Sequence, residues 1–199
     1  EPGFELGELC APVIALDRYV EKTGDTAFAA RPFVRDGLEE ILRRMEAKKH
    51  PSVPMYETFL QPTDDMHNHI YLTYDNALVC YALRALAKLL NRPELAEEAE
   101  GTRRAVYKHC VKEQNGRPFF AWSVDLNGHF DIYDEPPGSL LLLPFYGFCE
   151  ENDPIWQTTA AMIRDESYPL SFAGHPIAEI GCKHAPHPWI LSICNSLLS

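Results

Sequence analysis

Apolar residues recur at helical spacing through most of the chain. Leu9, Val13, Leu16 and Val20 predict a helix over residues 9–23, with Pro12 tolerated in its first turn. Thr23-Gly24-Asp25 then reads as a C-terminal cap followed by an N-cap. A second helix follows to about residue 49, with Phe28, Phe33, Leu38, Ile41, Leu42 and Met45 on its apolar face. Pro32 and Gly37 predict a kink or break near Arg31. Two helices joined by so short a turn form an αα-hairpin.

Residues 50–68 carry three prolines and no sustained period, so they read as a long loop. Loops of that length in a domain are usually functional or disordered. A strongly apolar helix follows over residues 74–90, with Leu78, Val79, Ala82, Leu86 and Leu89 on its inner face. Residues 91–94 end it and start a partner helix over residues 93–114, a second hairpin of the same kind. After a turn at residues 115–118, two β-like stretches, 119–124 and 128–133, flank Asp125-Leu126-Asn127-Gly128 and predict a small β-hairpin. The dense apolar run 140–148 reads as a buried helix, Asp153-Pro154 starts another to about residue 164, and residues 168–188 form a loop rich in Gly, Pro and His. A last helix is expected over residues 189–198.

The predicted fold class is therefore all-α: paired αα-hairpins forming part of an (α/α)6 toroid or a helical solenoid, with a small β-hairpin insertion. A closed ring of hairpins needs about twelve helices, well above the count reached here. The expectation is a single partial toroid domain over residues 1–199, truncated at both ends.

Charge narrows the partners. The net charge of −11 argues against nucleic acid, whose binding relies on Lys and Arg neutralising phosphates, but leaves a neutral substrate such as a sugar open. No apolar run approaches the roughly 20 residues that span a bilayer, so no membrane partner is expected. The six cysteines include no C-x-x-C pair, and most sit in apolar helical patterns. They read as reduced thiols in a cytoplasmic protein. A chain that opens on Glu1 rather than Met leaves room for a removed signal peptide.

Candidate chemistry gathers in the loops. Acids cluster at Asp64/Asp65, at Asp131/Asp134/Glu135 and at Glu179. Glycoside hydrolysis needs two carboxyl groups, one to protonate the leaving oxygen and one to activate water or attack the sugar. Tyr71, Tyr74, Trp122, Tyr133 and Trp189 lie close by in sequence and offer flat apolar faces for sugar rings, or for the core. His67/His69 and His184/His187 lack a zinc-ligand spacing with matched partners, so neither a metal nor a cofactor is expected. Ser139 and Ser171 lack a G-x-S-x-G context, which weakens a serine-hydrolase reading.

Several of these segments resemble a known family. LQPTDD (60–65) followed by YLTYDNALV (71–79) is similar to the Pro-Ser-Asp-Asp and Pro-Ser-Asn segments of glycoside hydrolase family 125, the metal-independent exo-α-1,6-mannosidases. VDLNGHF (124–130), DEPPGSLLLLPFYGF (134–148) and EIGCKHAPHPWI (179–190) resemble further segments of that family in the same order. The resemblance covers residues 60–199 and is most specific at SLLLLPFYG. It implies an (α/α)6 toroid and an inverting hydrolase of an α-linked sugar. It also implies a general acid at Asp64 or Asp65, with Asp64 favoured, and a general base supplied by a later Glu beyond residue 199. Gln61, Tyr74, Asp75, Asn76, Asp134, Glu135, His184, His187 and Trp189 become candidates for sugar contact. Gln61 stands where the family commonly has Arg, Asp75 where it has Ser, and Pro136-Pro137-Gly138 replaces an A-N-V-P stretch. The competing expectations are a catalytically inactive carbohydrate-binding or scaffold protein on the same helices, and an α-solenoid interaction module.

Overall fold

The computed structural model describes residues 3–199. Helix α1 (Leu6–Thr23) begins earlier than its apolar period predicts, because the Glu5 carboxylate caps it by accepting from the Gly7 and Glu8 amides. Gly24, at φ 71°, closes it in the left-handed conformation. The break expected near Arg31 is present. A single turn, α2 (Thr26–Ala29), is capped by Asp25, and Pro32 then opens α3 (Pro32–Glu46).

Helix α4 (Thr73–Leu89) is the centre of the molecule. Every residue from Thr73 to Cys80 is buried, and α1 and α5 (Glu94–Cys110) pack along it. A helix apolar on nearly all sides belongs inside a protein.

The expected helix over residues 93–114 ends at Cys110 instead. Residues Val111–Gln114 (β2) pair with Arg117–Phe120 (β3) across Asn115-Gly116. Both turn residues have positive φ, 52° and 74°, as a two-residue hairpin turn of matching twist requires. The Asn-Gly pair thus overrides the helical pattern before it.

The hairpin expected around residues 125–128 also forms, as β4 (Ser123–Val124) and β5 (Phe130–Asp131). A short strand preceding α4, β1 (Tyr71–Leu72), joins β4 to complete a three-stranded antiparallel sheet of order β1-β4-β5. The all-α expectation is corrected to this extent: helices dominate, with two small sheets inserted.

The run over residues 140–148 is buried at Leu140–Leu143 and Phe148 but is not a helix. It makes one 3₁₀ turn, Leu140–Leu142, and then reverses at Gly147, φ 64°. Pro144 has no N–H to offer the Leu140 carbonyl, which accepts instead from the Trp156 indole at 3.1 Å. The last two helices, α6 (Pro154–Ile163, capped by Asp153) and α7 (Ile190–Leu198), fall where the pattern puts them.

All six cysteines are free thiols, five buried and Cys194 exposed. Among the described residues no helix is long and apolar enough to cross a membrane.

Candidate active site

The polar loops converge at one end of α4. Residues 60–66 form a closed turn, fixed by a bridge between Leu60 and Met66 and by Gln61 N–H donating to the Asp65 carbonyl at 3.0 Å. Asp64 sits at its tip with φ 60°, a conformation that aspartate tolerates better than most residues. The turn exposes the Asp64 side chain. Asp65, next along, is half-buried and places Oδ2 2.5 Å from His184 Nδ1.

Beneath Asp65 lies Glu135, fully buried and held by four hydrogen bonds. Gln61 Nε2 donates to Oε2 at 2.8 Å, Thr63 Oγ1 to Oε2 at 2.8 Å, Thr63 N to Oε1 at 3.0 Å and Tyr133 OH to Oε2 at 3.1 Å. Thr63 Oγ1 also lies 3.3 Å from Asp65 Oδ2, so one hydroxyl stands between two carboxyl groups. Gln61 is oriented in turn by the Trp122 indole N–H, 3.3 Å from Oε1. Burial pushes the Glu135 carboxyl up to about 7, against the lowering effect of the Thr63 and Tyr133 hydrogen bonds.

Asp134 points the other way along the chain. Its carboxyl accepts from Ser139 Oγ and Leu140 N, each at 2.7 Å, and so caps the 3₁₀ turn; burial raises it to about 8. Two glycines let these loops approach. A Cβ on Gly138 would lie 2.3 Å from Pro62 Cγ, and one on Gly181 would lie 2.6 Å from the His187 carbonyl oxygen.

A cavity of about 250 Å³ opens beside this network. Its lining includes Gln61, His67, Trp122, Asp131, Tyr133 and Lys183. Lys183 Nζ sits 4.7 Å from the centre of the Tyr133 ring, bringing a positive charge to an otherwise acidic site. Asp131 is held by Asn68 and Ser123 at 3.0 Å. Burial lowers the His67 imidazole, which favours its neutral form.

The structure thus brings together Gln61, Asp65, Glu135 and His184. His187 and Trp189 lie on the same loop, the His184 ring edge-on to Trp189 at 6.1 Å and the His187 ring stacked on it at 6.4 Å. Besides Asp134, three candidates sit elsewhere. Tyr74 is buried against Tyr146. Asn76 faces inward, accepting from Tyr56 N at 2.8 Å and donating to the Tyr56 and Leu72 carbonyls. Asp75 is buried beneath the loop with neither carboxyl oxygen hydrogen-bonded by another group. Glu179 is occupied by Ser192 Oγ at 2.6 Å. Thr63 and Lys183 escaped the sequence reading, since a threonine between a proline and two acids and a lysine in a histidine-rich loop carry no spacing signal.

Among the described residues no group of three or more His, Cys, Asp or Glu side chains is placed to hold a metal ion. The site is thus a helical scaffold that carries buried carboxyl groups beside a loop-lined cavity. The chain belongs to the metal-independent α-mannosidase family GH125, whose model matches residues 48–199.

The fold is similar over the whole chain to a metal-independent α-mannosidase from Streptococcus pneumoniae, solved in a non-productive complex with α-1,6-mannobiose, with a TM-score of 0.88 at 19% identity. The chain spans 57% of that protein's length. A lesser likeness, TM-score 0.47 at 14% identity over 65% of the chain and 44% of the other, is to a family 8 glycosyl hydrolase, an endoglucanase from Klebsiella pneumoniae. No curated protein gives a significant sequence match.

Proposed function

We propose that this chain is part of an (α/α)6-toroid glycoside hydrolase that releases an α-linked sugar, mannose-like, with inversion. The observation that carries the reading is the Asp65–His184 pair at 2.5 Å, which joins the 61–65 turn to the loop whose Lys183 lines the cavity, in a member of this family. Asp65 would protonate the glycosidic oxygen. It is favoured over Asp64 because the turn joins it to His184 and Thr63, whereas Asp64 is exposed at the tip.

Glu135 holds the loop through Thr63 and Gln61. Tyr133, whose ring meets the buried Trp122 indole edge-on at 5.4 Å, gives the cavity its aromatic side. His184, His187 and Trp189 would frame the sugar from the opposite loop.

An inverting mechanism needs a second carboxylate about 6.5–9.5 Å from the acid to activate water. We assign that base to a glutamate in the portion of the fold that the chain does not span. The chain alone would then bind α-1,6-mannobiose without hydrolysing it, whereas the full-length protein would release mannose. Calorimetric titration of the chain and a mannose-release assay of the full-length protein test this together. Turnover by the chain alone would place the base within it, and absence of both binding and turnover would sink the glycosidase reading.

A further inference from the structure

The first turn of α4 buries an acid that the site does not use. Asp75 has no exposed surface, and neither of its carboxyl oxygens receives a hydrogen bond from an N–H or hydroxyl donor. Buried polar groups are almost always satisfied, so this one needs an account. Its neighbour across the helix interface is another carboxyl, Glu5, itself only 7% exposed. The two converge on Gly7: a Cβ there would lie 2.7 Å from Glu5 Oε1 and 3.2 Å from Asp75 Oδ1.

Glu5 is already committed. One of its oxygens accepts from Gly7 N at 2.8 Å and the other from Glu8 N, and the positive end of α1 favours a negative charge there. A second full negative charge at Asp75, dry and beside the first, would have no compensation. A single proton resolves the conflict, since it turns Asp75 from an unsatisfied acceptor into a donor.

We propose that Asp75 is held as a neutral carboxylic acid donating its proton to the Glu5 carboxylate, a pH-sensitive latch that fastens α1 to α4 beneath the 61–65 loop. Burial first, and the Glu5 charge second, raise the Asp75 carboxyl well above its ordinary range, against the lowering effect of the nearby Thr58 hydroxyl, whose proton goes to the Leu60 carbonyl. The other charged groups that face the pair deepen the effect, because they too are acidic: Glu8 on α1 acts on Glu5, and Glu135 in the loop acts on Asp75. Cys10 on α1 and Tyr74 on α4 are the titratable neighbours, and both are pushed up, first by burial.

The latch lies directly under the loop that carries the candidate acid. Leu6 N donates to Thr58 Oγ1 at 3.1 Å, Thr58 Oγ1 donates to the Leu60 carbonyl at 2.8 Å, and Leu60 N donates to the Phe4 carbonyl at 2.9 Å. Losing the proton would set two charges against each other at the point where residues 4–6 hold residues 58–60. The latch is therefore closed in acid and opens as pH rises.

The test is thermal unfolding of the wild-type chain and of Asp75→Asn from about pH 5 to about pH 9, a range above the ordinary carboxylate pKa. Asparagine keeps a donor toward Glu5 and cannot ionise. The wild type should lose Tm as pH rises; Asp75→Asn should lose less, and should melt higher than wild type at the alkaline end. Equal pH slopes for the two proteins would overturn the proposal. So would a wild-type Tm that falls on adding EDTA, because the pair would then hold a cation rather than a proton. Should Asp75→Asn not fold, Glu5→Gln decides: removing the charge that opposes ionisation of Asp75 should flatten the wild-type fall in Tm, and a slope equal to the wild type overturns the latch.

Discussion

Side by side in the chain, Asp64 and Asp65 end in different surroundings because of one backbone angle. The left-handed turn at Asp64 exposes that residue and places its neighbour against His184. The carboxyls behind them work by a different rule. Burial lifts Glu135 to about 7 and Asp134 to about 8, so both bind a proton more tightly folded than unfolded. The stability they contribute is complete below the unfolded carboxylate range near about pH 4, and it is lost as pH rises through their folded values. Each contributes a slope of at most about 1.4 kcal/mol per pH unit while only the native form holds the proton. Unfolding free energy measured in urea should therefore fall from about pH 5 to about pH 8, and Glu135→Gln should flatten the lower part of that fall. A stability curve for Glu135→Gln that parallels the wild type would show Glu135 to be ionised in the folded state. None of this was legible in the sequence, where Asp134 and Glu135 read as sugar contacts. The acids themselves were visible, but burial and the direction of each side chain depend on packing that no local pattern encodes.

At the scale of elements, the helical period and the caps placed most helices to within a few residues. The failures have local chemical causes. Asn115-Gly116 forces a hairpin where the apolar pattern still favours helix, and Pro144 stops a leucine run that otherwise reads as one. Gly116, at φ 74°, should be costly to replace: Gly116→Val is expected to lose about 1 kcal/mol or more, read as a lower urea midpoint. Gly138 carries a different constraint, because its missing side chain admits Pro62. Gly138→Ala should destabilise by about 1–3 kcal/mol through overpacking. It should also weaken mannobiose binding by displacing the 61–65 loop, and a variant with wild-type Tm and affinity would show that the contact relaxes freely. The order of the loops along the chain gave the site its general location. Their meeting depends on α7 as well, whose Asn195 Nδ2 donates to the Pro136 carbonyl at 2.7 Å.

Across the whole molecule, helix pairs carry their polar loops to one end, and a similar arrangement recurs in a larger α-mannosidase of which this chain spans 57%. The outer face of α7 is apolar and open, with Ile190 76% and Leu197 79% exposed. Packing against further helices of a toroid would cover such a face. The central claim is that Asp65 delivers the proton that breaks the glycosidic bond. Its most direct test is the rate of mannose release from α-1,6-mannobiose by the full-length protein and its Asp65→Asn and Asp64→Asn variants. The account predicts a loss of about 10²–10⁴-fold for Asp65→Asn, the usual contribution of a general acid, and a rate near wild type for Asp64→Asn. Wild-type turnover by Asp65→Asn, or the larger loss at Asp64, would contradict it.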